Sequence, residues 1–357
     1  MSTKVKVGIL CGGKSSEHEI SCISASGVLE AIDREKYDPI LIGITKSGRW
    51  VIPSADVALK IVDGQLPVIP EDSPAISTDV QGFSFNGHPL NLDVVFPVLH
   101  GPYGEDGTVQ GMLEMAGLTY VGSGVLASSV AMDKSFAKPI FAAHGLTVAD
   151  GIVIHIRQWS TDEREEIINR ASQLTFPLFV KPARSGSSRG TSKVKELNEL
   201  VVAIDFAFEF DTKVMIEVGI IGKEIECAVL QSHGVAHASP VGEIVILGDH
   251  EFYDFEAKYL DDSTRVDFPT DLPAGISEEI RSSAIQAFNA LGCEGLARVD
   301  FFYSTSGQII INEINTMPGF TATSVYPKLW AHAGLNYTDL IGKLLEAALT
   351  RSRDVTR

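Results

Sequence analysis

Three patterns in this sequence predict an α/β fold of three units separated by clefts. An apolar strand, a glycine-rich loop and a helix follow one another twice, at residues 4–32 and again at residues 92–117. This order is typical of an open parallel sheet whose loops lie at the carboxyl ends of its strands. After Gly124 strands and helices alternate differently, and from about Lys223 the chain becomes rich in strands. We therefore predict units at residues 1–122, 123–220 and 221–357.

The size and charge of the chain limit the functions to be considered. With 357 residues the chain is too long for one simple core, and its content of 45% hydrophobic and 21% charged residues is that of an ordinary globular protein. The formal net charge of −17 argues against binding to a nucleic acid backbone, because such binding needs a clustered basic face. We expect no nucleic acid partner.

The sequence also lacks the marks of a membrane or exported protein. The apolar run of residues 7–10 is too short for a signal peptide. No stretch reaches the roughly 18 uninterrupted apolar residues of a membrane span. The four cysteines are scattered without metal-binding spacing, which fits reduced thiols. We expect a cytoplasmic protein that does not enter a membrane.

Two polar residues of the first unit lie at the ends of predicted elements. The strand at residues 4–10 runs into a glycine turn, and Glu17 begins the helix that follows. His100 ends the second strand, before a helix near residues 108–116, and the turn-rich segment 60–89 between them is predicted to be peripheral. Both side chains suit a binding site, although an acid at a helix start is often only a partner of the helix dipole.

The middle of the chain carries two lysines beside segments that suit an anion. A helical stretch near residues 127–143 contains Lys134, and Lys181 ends a strand before the Ser/Gly loop of residues 183–192. Small residues let backbone N–H groups turn toward an anion, hydroxyls add donors, and a lysine supplies a charge. The loop lacks the Walker pattern, and a flexible loop with a surface lysine is the alternative interpretation. The other elements predicted here are strands near 151–156 and 177–181 and helices near 161–173 and 195–208.

Two acids, Glu217 and Glu224, flank a turn between apolar strands. Carboxylates in this place can accept hydrogen bonds from an adenine amino group and from ribose hydroxyls, as an acid does in dinucleotide sites. A solvated turn is the alternative, since acids are common in exposed turns.

A long polar segment rich in aromatic side chains follows at residues 248–267. Long loops in compact proteins are usually lids or disordered spacers. The aromatic content favours a lid that closes over a reaction and excludes water. A helix near residues 277–291 comes next.

The last two strands predict a hairpin with polar side chains on one face. Residues 298–303 and 308–315 are β-branched and aromatic, and a short polar loop joins them. We expect Asp300 to pair with Ile311, and alternation along the strands then brings four polar side chains to one face. These are Arg298, Asp300, Glu313 and Asn315. Such oxygen ligands suit Mg²⁺, which binds through one or two carboxylates plus substrate phosphates; a solvated strand face is the alternative.

Six motifs, taken in order, resemble those of the D-alanine–D-alanine ligases of the ATP-grasp superfamily. They are Gly12–Ser21, His100–Gly107, Met132–Lys134, Lys181–Ser188, Glu256–Tyr259 and Asn312–Phe320. The resemblance extends from residue 5 to about residue 345. It implies a three-domain ATP-grasp fold, with an N-terminal open parallel sheet domain plus central and C-terminal α+β domains that clasp ATP.

The resemblance also implies the reaction. One D-alanine carboxylate takes the γ-phosphoryl group of ATP, and the amine of a second D-alanine attacks the acyl phosphate. The products are D-alanyl-D-alanine for peptidoglycan synthesis, ADP and phosphate. We further expect a homodimer.

The same resemblance implies which residues hold ATP and its metal ions, because phosphoryl transfer needs cations around the transferring group. Two Mg²⁺ ions, or Mn²⁺ in their place, would be held by Asp300, Glu313 and Asn315. The ATP phosphates would be contacted by Lys134, Lys181 and Lys258. The rest of the nucleotide would be contacted by Glu217 at the adenine amino group, by Glu224 at the ribose and by Asn312.

The substrate-binding residues follow from the resemblance as well. Glu17 would hold the ammonium group of the first D-alanine, and His100 would lie near its carboxylate. Ser324 would bind the carboxylate of the second substrate, with Val325 beside it.

Five residues would assist the chemistry if the resemblance holds. Arg298 and the backbone of Gly319 would stabilise the oxyanion of the tetrahedral intermediate, which requires preorganised donors. Ser187, Tyr259 and Glu17 would form a hydrogen-bonded triad that ties the serine loop, the lid and the N-terminal domain into the closed state.

Four positions depart from the family pattern, namely Arg189, Val218, Met317 and Val325. Arg189 adds a bulky charge to the serine loop, where a small aliphatic residue is commoner. Met317 stands where serine is frequent, and Val325 stands where leucine is usual beside the acceptor pocket. A ligase with D-serine or D-lactate as acceptor is therefore the alternative. A nucleotide-binding protein without activity is a third hypothesis, but every implied metal ligand and phosphate lysine is present.

Tyr259 generates a prediction about the acceptor. Related ligases that join D-alanine to D-lactate lack this lid tyrosine, so its presence favours an amine acceptor. We expect Tyr259→Phe to relax this preference and to form D-alanyl-D-lactate, measured by product analysis over a range of pH. A variant that makes only the dipeptide at every pH contradicts the prediction.

Overall fold

The computed structural model describes residues 4–79, 81–247, 264–268 and 270–351, which form four sheets and the helices that cover them. The strands are β1 (Val5–Gly12), β2 (Tyr37–Ile44), β3 (Trp50–Val51), β4 (Ser77–Asp79), β5 (Gly82–Phe85), β6 (His88–Pro89), β7 (Val94–Pro97), β8 (Gly151–His155), β9 (Leu178–Pro182), β10 (Ser192–Val194), β11 (Lys213–Val218), β12 (Gly222–Ser232), β13 (Val235–Ile246), β14 (Thr264–Asp267), β15 (Leu296–Ser304) and β16 (Ile309–Asn315). The α-helices are α1 (His18–Ala31), α2 (Thr108–Met115), α3 (Val125–Met132), α4 (Lys134–Ala143), α5 (Ile156–Trp159), α6 (Arg164–Ala171), α7 (Leu200–Phe208), α8 (Ile276–Ala290), α9 (Val325–His332) and α10 (Tyr337–Leu349).

The first sheet has the strand order β3-β2-β1-β7, in which β1 runs parallel to both β2 and β7. Helix α1 forms the crossover from β1 to β2 and buries Cys22, Ala25 and Val28 against the sheet. Strand β1 is buried over its last six residues, as expected for a parallel strand that is covered on both faces. The predicted open parallel sheet is confirmed, and within the turn-rich segment 60–89 a small separate sheet, β4-β5-β6, has formed.

The second sheet, β10-β9-β11-β8, is antiparallel throughout. Its core is formed by apolar side chains of β9 and β11, such as Val180 and Ile216, and by Ile204 of α7. Lys181 and Glu217 are diagonal neighbours on one face, because Lys181 pairs with Met215, two residues before Glu217. The second sheet thus brings a lysine and an acid of the predicted site together.

The third sheet is also antiparallel, with the order β14-β13-β12-β15-β16. Its core contains Phe288 of α8 and Phe141 of α4. The helical stretch predicted near residues 127–143 is two helices, because the backbone of Asp133 is extended and its side chain accepts a hydrogen bond from the N–H of Ser135 at 3.1 Å. Helix α4 therefore begins directly at Lys134.

The first and third sheets share one hydrophobic cluster with α9 and α10. Phe320 contacts Phe96 of β7 edge to face at 5.4 Å between ring centroids, and it also contacts Tyr326 of α9. The hydroxyl of Tyr326 donates to the carbonyl of Val229 in β12 at 2.9 Å. These contacts fix the segment before α9 between the two sheets.

Most of the predicted lid lies outside the described residues, including Lys258 and Tyr259. The end of the segment is described, and Thr264–Asp267 forms the edge strand β14. Among the helices that the structure describes, none combines the length and apolar character needed to cross a membrane.

The third core generates a prediction about stability. Phe288 has no exposed surface, so Phe288→Ala should destabilise the protein by about 3–5 kcal/mol through lost burial and a cavity, measured as a lower thermal midpoint. Val202→Ala is the control, because that side chain is 72% exposed and its truncation should cost less than about 0.5 kcal/mol. Equal midpoints for the two variants would show that α8 does not carry this core.

Candidate functional site

A cavity of about 600 Å³ lies between the second and third sheets. Its walls include Lys134, Lys181, Glu217 and Glu224, together with Asn312 and Glu313 of β16. This volume lies in the range of small-molecule and cofactor sites. Six residues predicted to contact nucleotide or metal therefore line one space.

The metal-binding face predicted for the hairpin is present, but its predicted register is wrong. Asp300 pairs with Glu313 rather than with Ile311. The pairs on the loop side, such as Tyr303 with Ile309, are already displaced by one residue, and a bulge between Asp300 and Phe301 adds a second and leaves Asn312 without a cross-strand partner. Arg298 pairs with Asn315. The side chains nevertheless meet, since Asp300 accepts hydrogen bonds from Arg298 at 2.8 and 2.7 Å and from the amide of Asn315 at 3.1 Å.

A third carboxylate stands beside this pair. Glu226 of β12 is the cross-strand partner of Asp300, and its carboxylate lies 2.9 Å from the guanidinium of Arg298. Glu226 and Asp300 are 1% and 3% exposed. Arg298 therefore bridges two buried carboxylates and is held in a fixed orientation.

The lysines of the cavity are paired with acids. Lys134 Nζ lies 2.9 Å from Glu313 Oε2 and donates to the carbonyl of Ser185 at 3.0 Å. Burial would lower the pKa of Lys134, but Glu313 outweighs burial and raises it. Lys134 therefore keeps its charge beside the hairpin.

Glu217 accepts hydrogen bonds from two lysines in the wall of the cavity. Lys181 Nζ lies 2.6 Å from Glu217 Oε2 and also donates to Asn312 Oδ1 at 3.2 Å, while Lys138 donates to Glu217 Oε1. Burial would raise the pKa of Glu217, but the two lysines lower it to about 2. Burial lowers the pKa of Lys138 to about 8, against the attraction of Glu217.

Glu17 and the serine loop meet at the other end of the site. Ser187 donates a hydrogen bond to Glu17 Oε1, so two members of the predicted triad are in contact, and Glu17 is only 5% exposed. A Cβ atom at Gly101 or Gly186 would come within 2.5 or 2.9 Å of Glu17 Oε2. A side chain at either position would displace this carboxylate, so both glycines leave room for its close approach.

His100 is held by two hydrogen bonds, one to the third unit and one to α1 of the first unit. Its Nδ1 lies 3.0 Å from the carbonyl of Met317, and its Nε2 lies 3.0 Å from the hydroxyl of Ser24. Nδ1 must donate to the carbonyl, so Nε2 accepts from Ser24 when the ring is neutral. Burial lowers the pKa of His100, which agrees with a neutral ring.

Glu105 lies buried beside the same turn. It accepts a hydrogen bond from the N–H of Gly101 at 2.8 Å and another from the backbone of Met317. Burial raises the pKa of Glu105 to about 8, and the nearby charge of Glu17 adds to this. Glu105 and His100 thus contact Met317 from the N-terminal unit.

The predicted acceptor residues lie just after this turn. Ser324 precedes α9, and its hydroxyl accepts from the N–H of Thr321 at 3.1 Å. A Cβ atom at Gly319 would lie 3.2 Å from that hydroxyl, and Val325 is the first residue of α9. Gly319, Ser324 and Val325 therefore form one continuous segment.

Three functional candidates were missed at the level of sequence. Lys138 follows Lys134 by four residues and so lies on the same face of α4, a spacing that could have identified it. Glu226 follows Glu224 by two residues in β12 and so shares its face. Glu105 belongs to a quoted motif, but nothing in the sequence indicates that its loop folds against Met317.

The residues present fit ATP and Mg²⁺. Lysines project into a cavity of cofactor size, and beside them lies a set of two carboxylates and one amide on the hairpin. Across the part of the chain that the structure describes, no group of three His, Cys, Asp or Glu residues forms a metal site by itself. Mg²⁺ needs no such group, because it usually binds through one or two carboxylates, waters and substrate phosphates.

Glu105 generates a prediction about pH. In the unfolded chain its pKa is near 4.5 and in the folded protein about 8, so between these values only the folded state holds the proton. The stabilisation that the protonated Glu105 side chain contributes to folding is fully present below pH 4.5 and is lost as the pH rises toward 8. Glu105→Gln should remove that loss, so its stability relative to wild type should rise over this window by up to about 1.4 kcal/mol per pH unit, measured by denaturant titration.

The matched control is Glu279→Gln, an exposed acid on α8. Its difference from wild type should stay constant over the same pH window. A constant difference for Glu105→Gln as well would contradict a buried neutral carboxyl at this place.

Comparisons with known proteins agree with this geometry. Family models described as the N-terminus and the C-terminus of D-ala D-ala ligase match residues 6–123 and residues 140–346. The D-alanine–D-alanine ligase of Paenarthrobacter aurescens is 50% identical, over 97% of this chain and 95% of the relative. That of Mycolicibacterium smegmatis is 44% identical over 98% of this chain and 96% of the relative.

Solved structures give the same result. The VanG D-Ala:D-Ser ligase from Enterococcus faecalis has a TM-score of 0.84 at 36% identity, covering 97% of this chain and 100% of that one. The D-alanine–D-alanine ligase from Coxiella burnetii has a TM-score of 0.81 at 34% identity, covering 97% of this chain and 95% of that one. The predicted ATP-grasp fold is thereby confirmed. On its sequence and its structure, this chain belongs to the D-alanine–D-alanine ligase family.

Proposed function

We propose that this protein joins two D-alanine molecules to D-alanyl-D-alanine at the expense of ATP, for peptidoglycan synthesis. The observation that carries the proposal is the cavity in which Lys134, Lys181 and Glu313 face one space beside Asp300 and Arg298. Relatives named D-alanine–D-alanine ligase, at 44–50% identity over almost the whole chain, favour this product over D-alanyl-D-serine. The chain belongs to a family of ATP-dependent ligases, and ATP is the proposed second substrate.

ATP would bind between the second and third sheets. Lys134 and Lys181 would contact its phosphates, and Lys258 from the lid would join them. Glu217 would accept the adenine amino group with a lone pair that its two lysines leave open, since a carboxylate has about four acceptor positions. Glu224 and Asn312, which also line the cavity, would contact the ribose and the phosphate end of the nucleotide.

Asp300, Glu313 and Asn315 would hold Mg²⁺, or Mn²⁺ in its place. When bound, the metal supplies positive charge that stabilises the transferring phosphoryl group. Arg298 and Lys134 already balance the two carboxylates through contacts of 2.7 and 2.9 Å.

The amino acid substrates would bind between Glu17 and the turn before α9. Glu17 would hold the ammonium group of the first D-alanine, with neutral His100 near its carboxylate. Ser324 and Val325 would form the wall for the second D-alanine. Ser187 holds Glu17 in place through its hydrogen bond, and Tyr259 would complete that triad from the lid.

The chain itself supplies the groups that the tetrahedral intermediate needs. Arg298 is fixed by Glu226 and Asp300, so its N–H groups need no reorganisation when negative charge develops. The backbone of Gly319 would be the second donor. Lid closure would exclude water, which protects an acyl phosphate from hydrolysis.

Three further features belong to the proposal. We place the protein in the cytoplasm, which agrees with four buried free cysteines. The domain limits remain those predicted, at residues 122 and 220, and α3 and α4 pack on the core of the third sheet. A homodimer is the expected assembly, and the mass in solution tests it.

Phosphate release from ATP with Mg²⁺ tests the activity. D-alanine alone should support turnover, because it serves as both donor and acceptor. L-alanine should not, and D-serine or D-lactate added with D-alanine should yield little mixed product by mass spectrometry. A preference for L-alanine would overturn the proposal, and dominant mixed product would make the alternative acceptor the true one.

The control for this assay is Glu313→Gln, which keeps the size of the side chain. It should lower kcat at least about 100-fold, because the metal that stabilises the transferring phosphoryl group would lose an anionic ligand. Full phosphate release by this variant would show that the measured activity does not arise at the hairpin.

A further inference from the structure

We propose that Lys138 is a positioning residue for ATP binding, which neutralises Glu217 so that the charge of Lys181 remains available to phosphate. The inference rests on the proposed function, because it concerns the same nucleotide cavity. It assigns a role to a lysine that the implied site leaves without one.

The geometry is a chain of three charges across the cavity wall. Lys138 donates to one oxygen of Glu217, and Lys181 Nζ lies 2.6 Å from the other. The side chains of Lys138 and Glu217 are 6% and 5% exposed, whereas that of Lys181 is 14% exposed and also reaches Asn312. Lys181 is therefore the member best placed to meet a ligand.

The balance of charge explains why two lysines are needed. Glu217 alone would cancel the charge of Lys181, because opposite charges at this distance in a buried site attract strongly. Lys138 supplies the missing compensation, so the three groups together carry one positive charge in excess. That excess lies at the lysine nearest the phosphates.

Lys138 comes to this place through α4. The helix begins at Lys134, and residues four apart share one face, so Lys134 and Lys138 point to the same cavity. The two lysines have separate partners, since Lys134 pairs with Glu313. One helix therefore supplies the cation that pairs with Glu313 and a cation that pairs with Glu217.

The alternative is that Lys138 only stabilises the fold as half of a buried ion pair. Breaking such a pair usually costs several kcal/mol because an uncompensated charge remains. A structural role and a binding role therefore both predict damage from a single substitution. They differ in the affinity of the folded protein for nucleotide, which a purely structural Lys138 would leave unchanged.

The test measures the Kd of ADP with Mg²⁺ by calorimetry for wild type, Lys138→Met, Glu217→Gln and the double variant Lys138→Met/Glu217→Gln. Lys138→Met should weaken ADP at least about tenfold, because Glu217 then cancels Lys181. In the double variant no Glu217 charge is left to cancel Lys181, so its Kd should lie within about threefold of that of Glu217→Gln measured alone. Lys138→Arg should also bind ADP as wild type does.

The control is Lys213→Met, which removes a lysine that lies 2.6 Å from Asp133. It is matched because it breaks a partly buried ion pair of which neither member lines the cavity. Its Kd for ADP should change less than about twofold.

Two outcomes overturn the inference. One is a folded Lys138→Met variant with unchanged affinity, and the other is a folded double variant that binds ADP about tenfold more weakly than Glu217→Gln does. If Lys138→Met does not fold, Lys138→Gln takes its place, because it can still donate a hydrogen bond to Glu217 without carrying the charge, and unchanged affinity of that variant overturns the inference in the same way. If wild type itself does not bind ADP, the nucleotide site of the proposed function fails instead, and that result is distinct from these two.

Discussion

Three carboxylates in one row across neighbouring strands impose the constraint on which this site depends. Glu226 of β12 pairs with Asp300 of β15, and Asp300 pairs with Glu313 of β16. Like charges placed side by side in a sheet repel each other, and burial removes the water that would screen them. Arg298 bridges the first two acids, and Lys134 arrives from α4 to pair with the third. The packing of α4 on the third sheet therefore does more than fill the core, because it also places the cation that neutralises Glu313.

A second constraint is that the N-terminal unit, which carries Glu17 and His100, must be held against the turn at Gly319, so that the amino acid site lies beside the metal-binding hairpin. The loop after β7 contacts Met317 twice, because His100 donates to its carbonyl and Glu105 accepts from its backbone. Beneath these polar contacts, Phe320 packs on Phe96 of β7. The turn that carries Gly319 is thus fixed from the N-terminal sheet. A substrate held by Glu17 would meet a turn whose position is already determined, which is the preorganisation that oxyanion stabilisation requires.

The hairpin shows how much of the site could be predicted from sequence and why the rest could not. The register was predicted wrongly, yet the residues that share a face were predicted correctly. Relative to the predicted register, Asp300 is shifted by two residues, from Ile311 to Glu313. An even shift preserves the face of each side chain, whereas a shift of one residue would have reversed it. One residue of this shift comes from the pairing beside the connecting loop and the other from the bulge, and neither has a reliable signature in a single sequence. Lys134, Lys181 and Glu17 could be predicted because glycine and serine loops mark their positions. Lys138 could have been found from its four-residue spacing to Lys134, but Glu105 could not, since its role arises from contacts with a segment far away in the chain.

The cavity must attract a highly charged anion to a protein whose formal net charge is −17. Six basic and four acidic side chains line its described walls, so the local balance is opposite to that of the whole chain. Distant surface acids matter little, because at physiological ionic strength charges separated by more than about 8 Å are largely screened. Contacts inside a partly enclosed cleft are screened much less, and low-dielectric walls concentrate the field there. The acids of the cavity also have uses that lysines cannot fulfil, as metal ligands and as acceptors for the adenine. An excess of basic over acidic side chains therefore lets the cavity keep its acids and still attract phosphate. In our proposal, part of that excess comes from residues such as Lys138, which touch no ligand themselves.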